Sequence, residues 1–246
     1  MSGAMASLDE FTLEAPVCYW NVDRDQRLSL RSLFQLLQEA AIKHADCFDS
    51  GTRAKAARGE SWVLHRMAAA VHRYPRYGET VRIVTWSSGI RAFKGYRDFR
   101  AYCGAELTVS ASTIWLYLNL ESKALSRVPK EVADRFPSRP EEVFCPGLDR
   151  LALEPPRMGG PGFDVTLRYS DIDGNGHVNN TAYWDCLQTA LLRTEKPRRP
   201  SRLLVQFLRE IAPEADKVSV FLESRGGEVA FALAGPSGLC AHGTVA

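Results

Sequence analysis

The stretch YSDIDGNGHVNN at residues 169–180 has a counterpart, YWNVDRDQRLSL, at residues 19–30. The two stretches align without a gap at an offset of 150 residues, and the match continues downstream. The identical positions are Tyr19 and Tyr169, Asp23 and Asp173, Leu37 and Leu187, Gln38 and Gln188, and Ala40 and Ala190. Because similarity at a fixed offset is typical of a repeated structural unit, we expect the chain to fold as two related halves.

Both halves show the same order of predicted elements: an extended segment, a polar turn and then a helix. Ser29 is a suitable N-cap for the first helix, and Asn179 or Asn180 for the second. Strand-like runs follow each helix, and in the second half they are Arg202–Ile211, Lys217–Glu223, Val229–Leu233 and Leu239–Val245. A long helix laid across about five antiparallel strands buries one face of the sheet, so the predicted fold class is α+β.

A proline-rich stretch separates the two halves. Its prolines are Pro129, Pro137, Pro140, Pro146, Pro155, Pro156 and Pro161. Because proline removes a backbone donor and fixes φ, we predict a largely irregular linker with one short helix near residues 130–135. The predicted domains are an N-terminal unit at residues 9–128, the linker at residues 129–162 and a C-terminal unit at residues 163–246.

The composition is that of an ordinary globular protein. Of the 246 residues, 45% are hydrophobic and 24% are charged, and the net charge is +2. This charge is too small to indicate a nucleic-acid-binding domain. Arginine-rich stretches at residues 66–100 and 193–202 predict either solvated faces or a landing surface for an anionic partner.

The six cysteines are scattered and form no CxxC pair, so neither a zinc motif nor a redox motif is indicated. Scattered single cysteines are typical of a reducing compartment. The first eight residues lack the pattern of a secretory signal, and no apolar run reaches the roughly 18 residues that a membrane span needs. We therefore expect a cytoplasmic protein.

Reactive side chains are concentrated in the second copy of the repeat, as Asp171, Asp173, Asn175 and His177. Gly174 and Gly176 allow the backbone between them to turn tightly. The amides at the start of the following helix lack intrahelical partners and suit an oxygen that carries negative charge. We predict that the backbone N–H of Val178 or Asn179 donates a hydrogen bond to such an oxygen.

Three interpretations without catalysis remain for this segment. The spacing of Asp171, Asp173 and Asn175 matches an EF-hand calcium loop, but the twelfth position holds Ala182 instead of glutamate. A strand-like segment also stands where an EF-hand has a helix. The second interpretation is a plain capping turn, since Asn and Asp favour turns in any case, and the third is a structural role for His177.

Comparison with the first copy of the repeat supports a catalytic role for the second copy. Arg27 stands in the place of His177, Asp25 stands in the place of Asn175, and neither glycine is kept. If these residues served only the turn, both copies should have kept the glycines. We therefore interpret the first half as a degenerate copy that serves packing and substrate binding.

The pattern Ser-Asp-x-Asp-x-Asn-x-His-Val-Asn-Asn, followed by a helix, resembles the active-site segment of plant and bacterial acyl-ACP thioesterases. The resemblance extends over nearly the whole chain, with further landmarks at Leu36-Leu37-Gln38-Glu39, Trp62, Arg97-Asp98-Phe99 and Trp115. It implies two tandem hotdog units and the hydrolysis of a fatty acyl-ACP thioester, without a cofactor or metal. It assigns catalysis to Asp173, Asn175, His177 and Glu210, the last on a later strand.

Many plant members of that family have a cysteine after the glutamate, but this chain has Ile211. A cysteine nucleophile is thereby excluded at this position, and we expect Cys186 on the helix to be a small core residue. Water is then the expected attacking group, with Glu210 as the first choice of general base and His177 as the second. Asn175 would place the water or hydrogen-bond the carbonyl. Asp173 would orient Asn175 or His177.

The resemblance also implies an apolar tunnel in the first half. Its candidate lining residues, which equally suit an ordinary core, are Phe34, Leu37, Ala41, Trp62, Met67 and Trp115. The expected partner is an acidic acyl carrier protein with a 4′-phosphopantetheine arm, and the expected state is a monomer or homodimer. The alternatives are an acyl-CoA thioesterase of the same superfamily and a non-catalytic module that binds acyl thioesters.

Overall fold

The computed structural model describes residues 9–48, 59–160, 162–193 and 199–246. The small-residue start of the chain, Pro161 of the linker, and Lys196 and Arg198 of the second arginine-rich stretch lie outside these ranges. Within them, the chain forms one antiparallel sheet and two long helices.

The first half consists of strand β1 (Phe11–Pro16), helix α1 (Leu30–Asp46) and the strands β2 (Glu60–Val71), β3 (Thr80–Arg91), β4 (Lys94–Cys103) and β5 (Glu106–Asn119). Ser29 caps α1 as predicted, since its side-chain oxygen accepts the N–H of Ser32. Leu33 and Leu37 recur on one face of α1 and are buried. The capped, amphipathic helix therefore packs its apolar face into the core.

The linker carries helix α2 (Lys130–Ala133), which confirms the short helix predicted there, and most of its other described residues are irregular. The second half then repeats the order of the first. Its elements are β6 (Phe163–Thr166), α3 (Ala182–Leu192), β7 (Arg202–Phe207), β8 (Lys217–Arg225), β9 (Glu228–Gly235) and β10 (Gly238–Val245).

The ten strands of the described residues form one sheet in the order β1-β3-β4-β5-β2-β7-β10-β9-β8-β6. The halves meet where β2 pairs with β7 in an antiparallel register, with Ala68 opposite Leu204. Helices α1 and α3 contact each other and share one hydrophobic core with both parts of the sheet. Two hotdog units thus lie side by side in one chain, and the predicted α+β fold class is confirmed.

The second long helix begins later than predicted. Helix α3 starts at Ala182, whereas the sequence suggested Asn179 or Asn180 as its N-cap. The reason is that Asn179 belongs to the preceding turn. Its N–H donates to the carbonyl of Asp171, and its side-chain oxygen accepts the N–H and the hydroxyl of Thr181.

Strand β7 ends at Phe207, four residues earlier than the predicted end at Ile211. The N–H groups of Leu208 and Arg209 both donate to the carbonyl of Cys240, so the regular ladder with β10 stops there. The residues that follow leave the sheet, and Glu210 is among them.

Asp98 of β4 fastens the linker to the sheet. This carboxylate is buried and accepts the hydroxyl groups of Ser88 and Ser112 as well as the backbone N–H of Phe144. Ser112 also accepts the N–H of Cys145. Because a buried carboxylate needs several donors, the linker and the three strands β3, β4 and β5 hold one another in place.

We expect Asp98→Ala to lower the free energy of unfolding by about 3 kcal/mol, because three buried donors lose a charged acceptor. Equilibrium unfolding in urea measures this loss. Asp134→Ala is the matched control, since Asp134 is an exposed carboxylate paired with Lys130 and should cost less than about 0.5 kcal/mol. Equal losses in the two variants would show that Asp98 does not hold the linker.

Candidate active site

The turn at residues 168–179 repeats the backbone of the turn at residues 18–29. The N–H of Asp173 donates to the carbonyl of His177 over 2.9 Å, as that of Asp23 donates to Arg27 over 2.8 Å. Gly176 stands at a corner with a φ of +78°, and Gln26 occupies the same corner with a φ of +57°. The first copy therefore forms the turn without glycine. The expectation that a purely structural turn would keep its glycines is wrong.

Asp173 holds the turn together. One carboxylate oxygen accepts the N–H of Asn175 over 2.8 Å, and the other accepts the side-chain amide of Asn179 over 3.2 Å. Asp23 accepts the N–H of Asp25 over 2.9 Å in the first copy. Asp173 therefore holds the backbone of Asn175 in place. Because Asp23 forms the equivalent hydrogen bond in the first copy, this bond belongs to the turn itself and does not depend on the presence of Asn175 and His177.

Glu210 reaches the turn through a contact that both halves possess. The N–H of Val178 donates to the carbonyl of Ile211 over 3.2 Å, and that of Leu28 donates to Pro75 over 2.8 Å. Since Glu210 precedes Ile211 as Tyr74 precedes Pro75, the first half has a buried tyrosine where the second has a carboxylate.

His177 and Glu210 are brought together by this arrangement. Nε2 of His177 lies 3.3 Å from Oε1 of Glu210, and Nζ of Lys123 lies 2.6 Å from the same oxygen. Glu210 is not on a strand, as the sequence suggested, but in the segment after β7. Within the described ranges, no hydrogen bond joins the side chain of Asn175 to His177 or to Glu210.

The two backbone amides predicted to hold an oxyanion are already used. Val178 donates its N–H to Ile211 over 3.2 Å, and Asn179 donates its N–H to Asp171 over 2.8 Å. Both residues also lie before the start of α3, so neither belongs to the first turn of the helix. This part of the prediction is wrong, because the amides maintain the turn and are not available to a substrate.

A cavity of about 140 Å³ lies next to Asn175 and extends into the first half. Three of the predicted tunnel residues line it, namely Ala41 of α1, Trp62 of β2 and Trp115 of β5. Gln38 of α1 also lines it. Among the described residues, the lining therefore comes from the first half and from Phe136 of the linker, and Asn175 comes from the second half.

A narrower cavity shares Gln38 and Trp115 with the first. Its apolar lining includes the other three predicted tunnel residues, which are Phe34, Leu37 and Met67. Asn180, Thr181 and Trp184 of the second half close it. The six predicted lining residues thus lie around two adjoining cavities, both of which also have polar residues in their lining.

Arg97 is a charged residue in the wall of the larger cavity. It is buried, and its guanidinium contacts Nδ1 of His44 over 2.9 Å and the hydroxyl of Thr85 over 3.1 Å. Burial lowers the pKa of Arg97 to about 10. The group therefore stays charged at neutral pH, and the cavity is not uniformly apolar.

Sequence reasoning missed three residues at this site. Gln38 was visible as an identical position of the repeat, and Asn180 was visible as the last residue of the motif. Lys123 gave no signal, because it lies 87 positions from Glu210 and only the fold brings the two together.

Arg31 of α1 clamps the turn of the second half to the helix of the first. Its NH1 lies 2.6 Å from Asp171 and 2.8 Å from Asp185 of α3. Burial alone would raise the pKa of Asp171, but hydrogen bonds from Arg168 and Arg31 outweigh it and hold the pKa below its ordinary value. Since this carboxylate is neutralised by two arginines, the calcium-loop interpretation loses its first ligand.

Fold and site together define a double-hotdog protein whose cavity opens between the two halves of one chain. The sequence profile of the acyl-ACP thioesterase N-terminal domain matches residues 9–136, and that of the C-terminal domain matches residues 162–233. The chain therefore belongs to the acyl-ACP thioesterase family.

Curated relatives agree with this assignment. The palmitoyl-acyl carrier protein thioesterase of Gossypium hirsutum is 28% identical over 207 residues, which are 78% of this chain and 49% of the relative. The dodecanoyl-[acyl-carrier-protein] hydrolase of Cinnamomum camphora is 28% identical over 230 residues, which are 86% of this chain and 59% of the relative. The chain thus spans about half the length of the curated relatives it matches.

Solved structures show the same fold. An acyl-ACP thioesterase from Bacteroides thetaiotaomicron superposes with a TM-score of 0.83 at 21% identity, covering 96% of this chain and 97% of that one. The 12:0-ACP thioesterase from Umbellularia californica gives a TM-score of 0.82 at 20% identity, covering 99% and 98%.

In the part of the chain that the structure describes, no helix is both long and apolar enough to cross a membrane. The two curated relatives named above are chloroplastic proteins. The cytoplasmic location of this chain stays a prediction.

We expect Asp171→Asn to lower the free energy of unfolding at pH 7 by about 3 kcal/mol, because Arg31 loses a buried partner. The folded-state pKa of Asp171 lies below the unfolded value of about 3.9, so this stabilisation is present above about pH 4 and lost as pH falls through the folded pKa. Urea unfolding across this range should show the two proteins converging at acidic pH. Glu39→Gln, which removes an exposed partner of Lys43, is the control, and an equal loss there would contradict the clamp.

Cys186 of α3 should behave as a core residue and not as a nucleophile. Burial raises the pKa of its thiol to about 12, so almost no thiolate is present at pH 8. We expect iodoacetamide to label the half-buried Cys47 of the native protein at pH 8 and to leave Cys186 unmodified, as measured by peptide mass spectrometry. Labelling of both at the same rate would refute this assignment.

Proposed function

We propose that the chain hydrolyses a fatty acyl thioester carried on an acyl carrier protein and releases a free fatty acid and the carrier thiol. One observation carries the proposal: Asn175, His177 and Glu210 lie in the half whose turn faces the cavity of the other half. The first copy forms the same turn but has Asp25, Arg27 and Tyr74 at these positions. The chemistry is therefore separable from the structural role of the turn.

Water is the attacking group in this proposal. Its oxygen adds to the thioester carbonyl carbon while Glu210 accepts a proton, and the carbon–sulfur bond then breaks. The proton passes to the departing thiolate, either from Glu210 directly or through His177, whose Nε2 lies 3.3 Å away. A general base of this kind contributes about 10²–10⁴-fold to the rate.

Asn175 lines the cavity from the second half, and we assign it to the thioester carbonyl or the attacking water. Its side-chain amide takes over the oxyanion role that the engaged amides of Val178 and Asn179 do not fill. Asp173 supports this placement by holding the backbone of Asn175. The acyl chain would extend past Trp62 and Trp115 into the first half.

Fewer arginines are available to form a docking surface for the carrier protein than the sequence suggested. In the first arginine-rich stretch, Arg66 donates to Gln206 and to the linker carbonyl of Leu148, and Arg97 is buried. Arg199 of the second stretch pairs with Asp23. Much of this positive charge stabilises the fold, so any electrostatic landing surface rests on the remaining exposed arginines.

The test follows thiol release from acyl carrier protein and coenzyme A thioesters of several chain lengths. We expect turnover with the carrier protein substrate, and we expect His177→Ala to lower kcat by about 10²–10⁴-fold. Arg27→Ala changes the equivalent position of the degenerate copy and is the matched control, which should retain activity within about twofold.

Three results would decide against parts of the proposal. Release from coenzyme A alone would assign the chain to acyl-CoA hydrolysis. Tight binding of acyl thioesters without release would leave a binding module. A fully active His177→Ala variant would remove the catalytic role of the motif, whatever the carrier.

A further inference from the structure

We propose that Lys123 is a positioning residue for Glu210, and this inference rests on the proposed hydrolysis. Lys123 belongs to the turn that follows β5 in the first half, whereas Glu210 follows β7 in the second. Their side chains meet with Nζ 2.6 Å from Oε1. The general base would then depend on a cation from the opposite half of the chain.

Lys123 and His177 approach Glu210 at the same oxygen. Nζ of Lys123 lies 2.6 Å from Oε1, and Nε2 of His177 lies 3.3 Å from it. Among the described residues, no hydrogen bond is made to Oε2. With Oε1 engaged by Lys123, Oε2 would serve as the acceptor for the proton of the attacking water.

The backbone of Lys123 adds a second, independent observation. Its φ is +53°, in the left-handed region that glycine and asparagine tolerate and lysine adopts at a cost. The surrounding turn is fixed by Asn119, whose side-chain oxygen accepts the N–H and the hydroxyl of Ser122. A glycine would adopt this corner without that cost, whereas the lysine there also reaches Glu210.

An ion pair at the surface would ordinarily contribute little. The side chains of Lys123 and Glu210 are 72% and 48% exposed, and ion pairs this exposed stabilise a fold very little. The same pair has a larger effect on rate when it orients a catalytic group, because small displacements of such groups lower turnover strongly. The effect is therefore expected in kcat and not in stability.

Lys123→Gly separates the two roles, since glycine relieves the backbone and removes the ammonium. We expect this variant to keep or raise the melting temperature and to lower kcat about fivefold with KM unchanged. Lys123→Arg keeps a cation and should stay within about twofold of the parent protein. Lys130→Met removes an even more exposed ion pair with Asp134 and should change neither kcat nor the melting temperature.

The double variant tests the coupling. In a Glu210→Gln background, Lys123→Gly should lower kcat no further, because the group that it positions is gone. Independent losses that multiply would overturn the proposal, as would an unchanged kcat in Lys123→Gly.

A measurement without turnover distinguishes this inference from the proposed function. The imidazole resonances of His177, observed by ¹⁵N-correlated NMR, should shift in Lys123→Gly and in Glu210→Gln but not in Lys130→Met. Unchanged resonances in Lys123→Gly would overturn the positioning role even in an active enzyme. Shifted resonances without hydrolysis would support the ion-pair network and refute only the proposed reaction.

Discussion

The antiparallel pairing of β2 with β7 is the constraint on which the rest of the structure depends. Ala68 and Leu204 lie opposite one another and differ by the same 136 positions as Pro75 and Ile211, which accept equivalent bonds in the two halves. The pairing is therefore a pseudo-twofold contact between equivalent strands. It places the turn of each half against the helix of the other, so Asn175 lines a cavity with Gln38 of α1.

This symmetry produces two equivalent turns beside a cavity or cleft, and their side chains differ. In the first-half turn, Asp25 lines a cleft together with Gln188 of α3. In the same way, Asn175 of the second-half turn lines a cavity together with Gln38 of α1. Arg199 pairs with both Asp23 and Asp25, and the hydroxyl of Tyr74 donates to the carbonyl of Pro200. Because those groups bind one another, the first-half turn contributes to packing, and the proposed chemistry is confined to the second-half turn.

The charged groups that fix the fold are more deeply buried than those of the proposed active site. Asp98 and the pair of Arg31 with Asp171 are enclosed and hydrogen-bonded, so they fix the linker and the turn in single arrangements. His177, Glu210 and Lys123 are only partly covered. Water can reach these groups, which a hydrolytic role requires, and their arrangement depends on the rigid parts that carry them.

The sequence by itself determined the repeat, the α+β class, the Ser29 cap and the apolar residues around the cavities, because these follow from local spacing and turn chemistry. It placed Asn175 and His177 in one turn for the same reason. Three features were decided only by the tertiary structure. The backbone N–H groups of Val178 and Asn179 donate within the protein, Glu210 lies beyond the end of β7, and Lys123 forms an ion pair with Glu210. Hydrogen bonds and ion pairs between residues far apart in the chain, such as Lys123 and Glu210 at 87 positions, depend on where strands end and how the two halves pack. No local sequence pattern encodes these contacts.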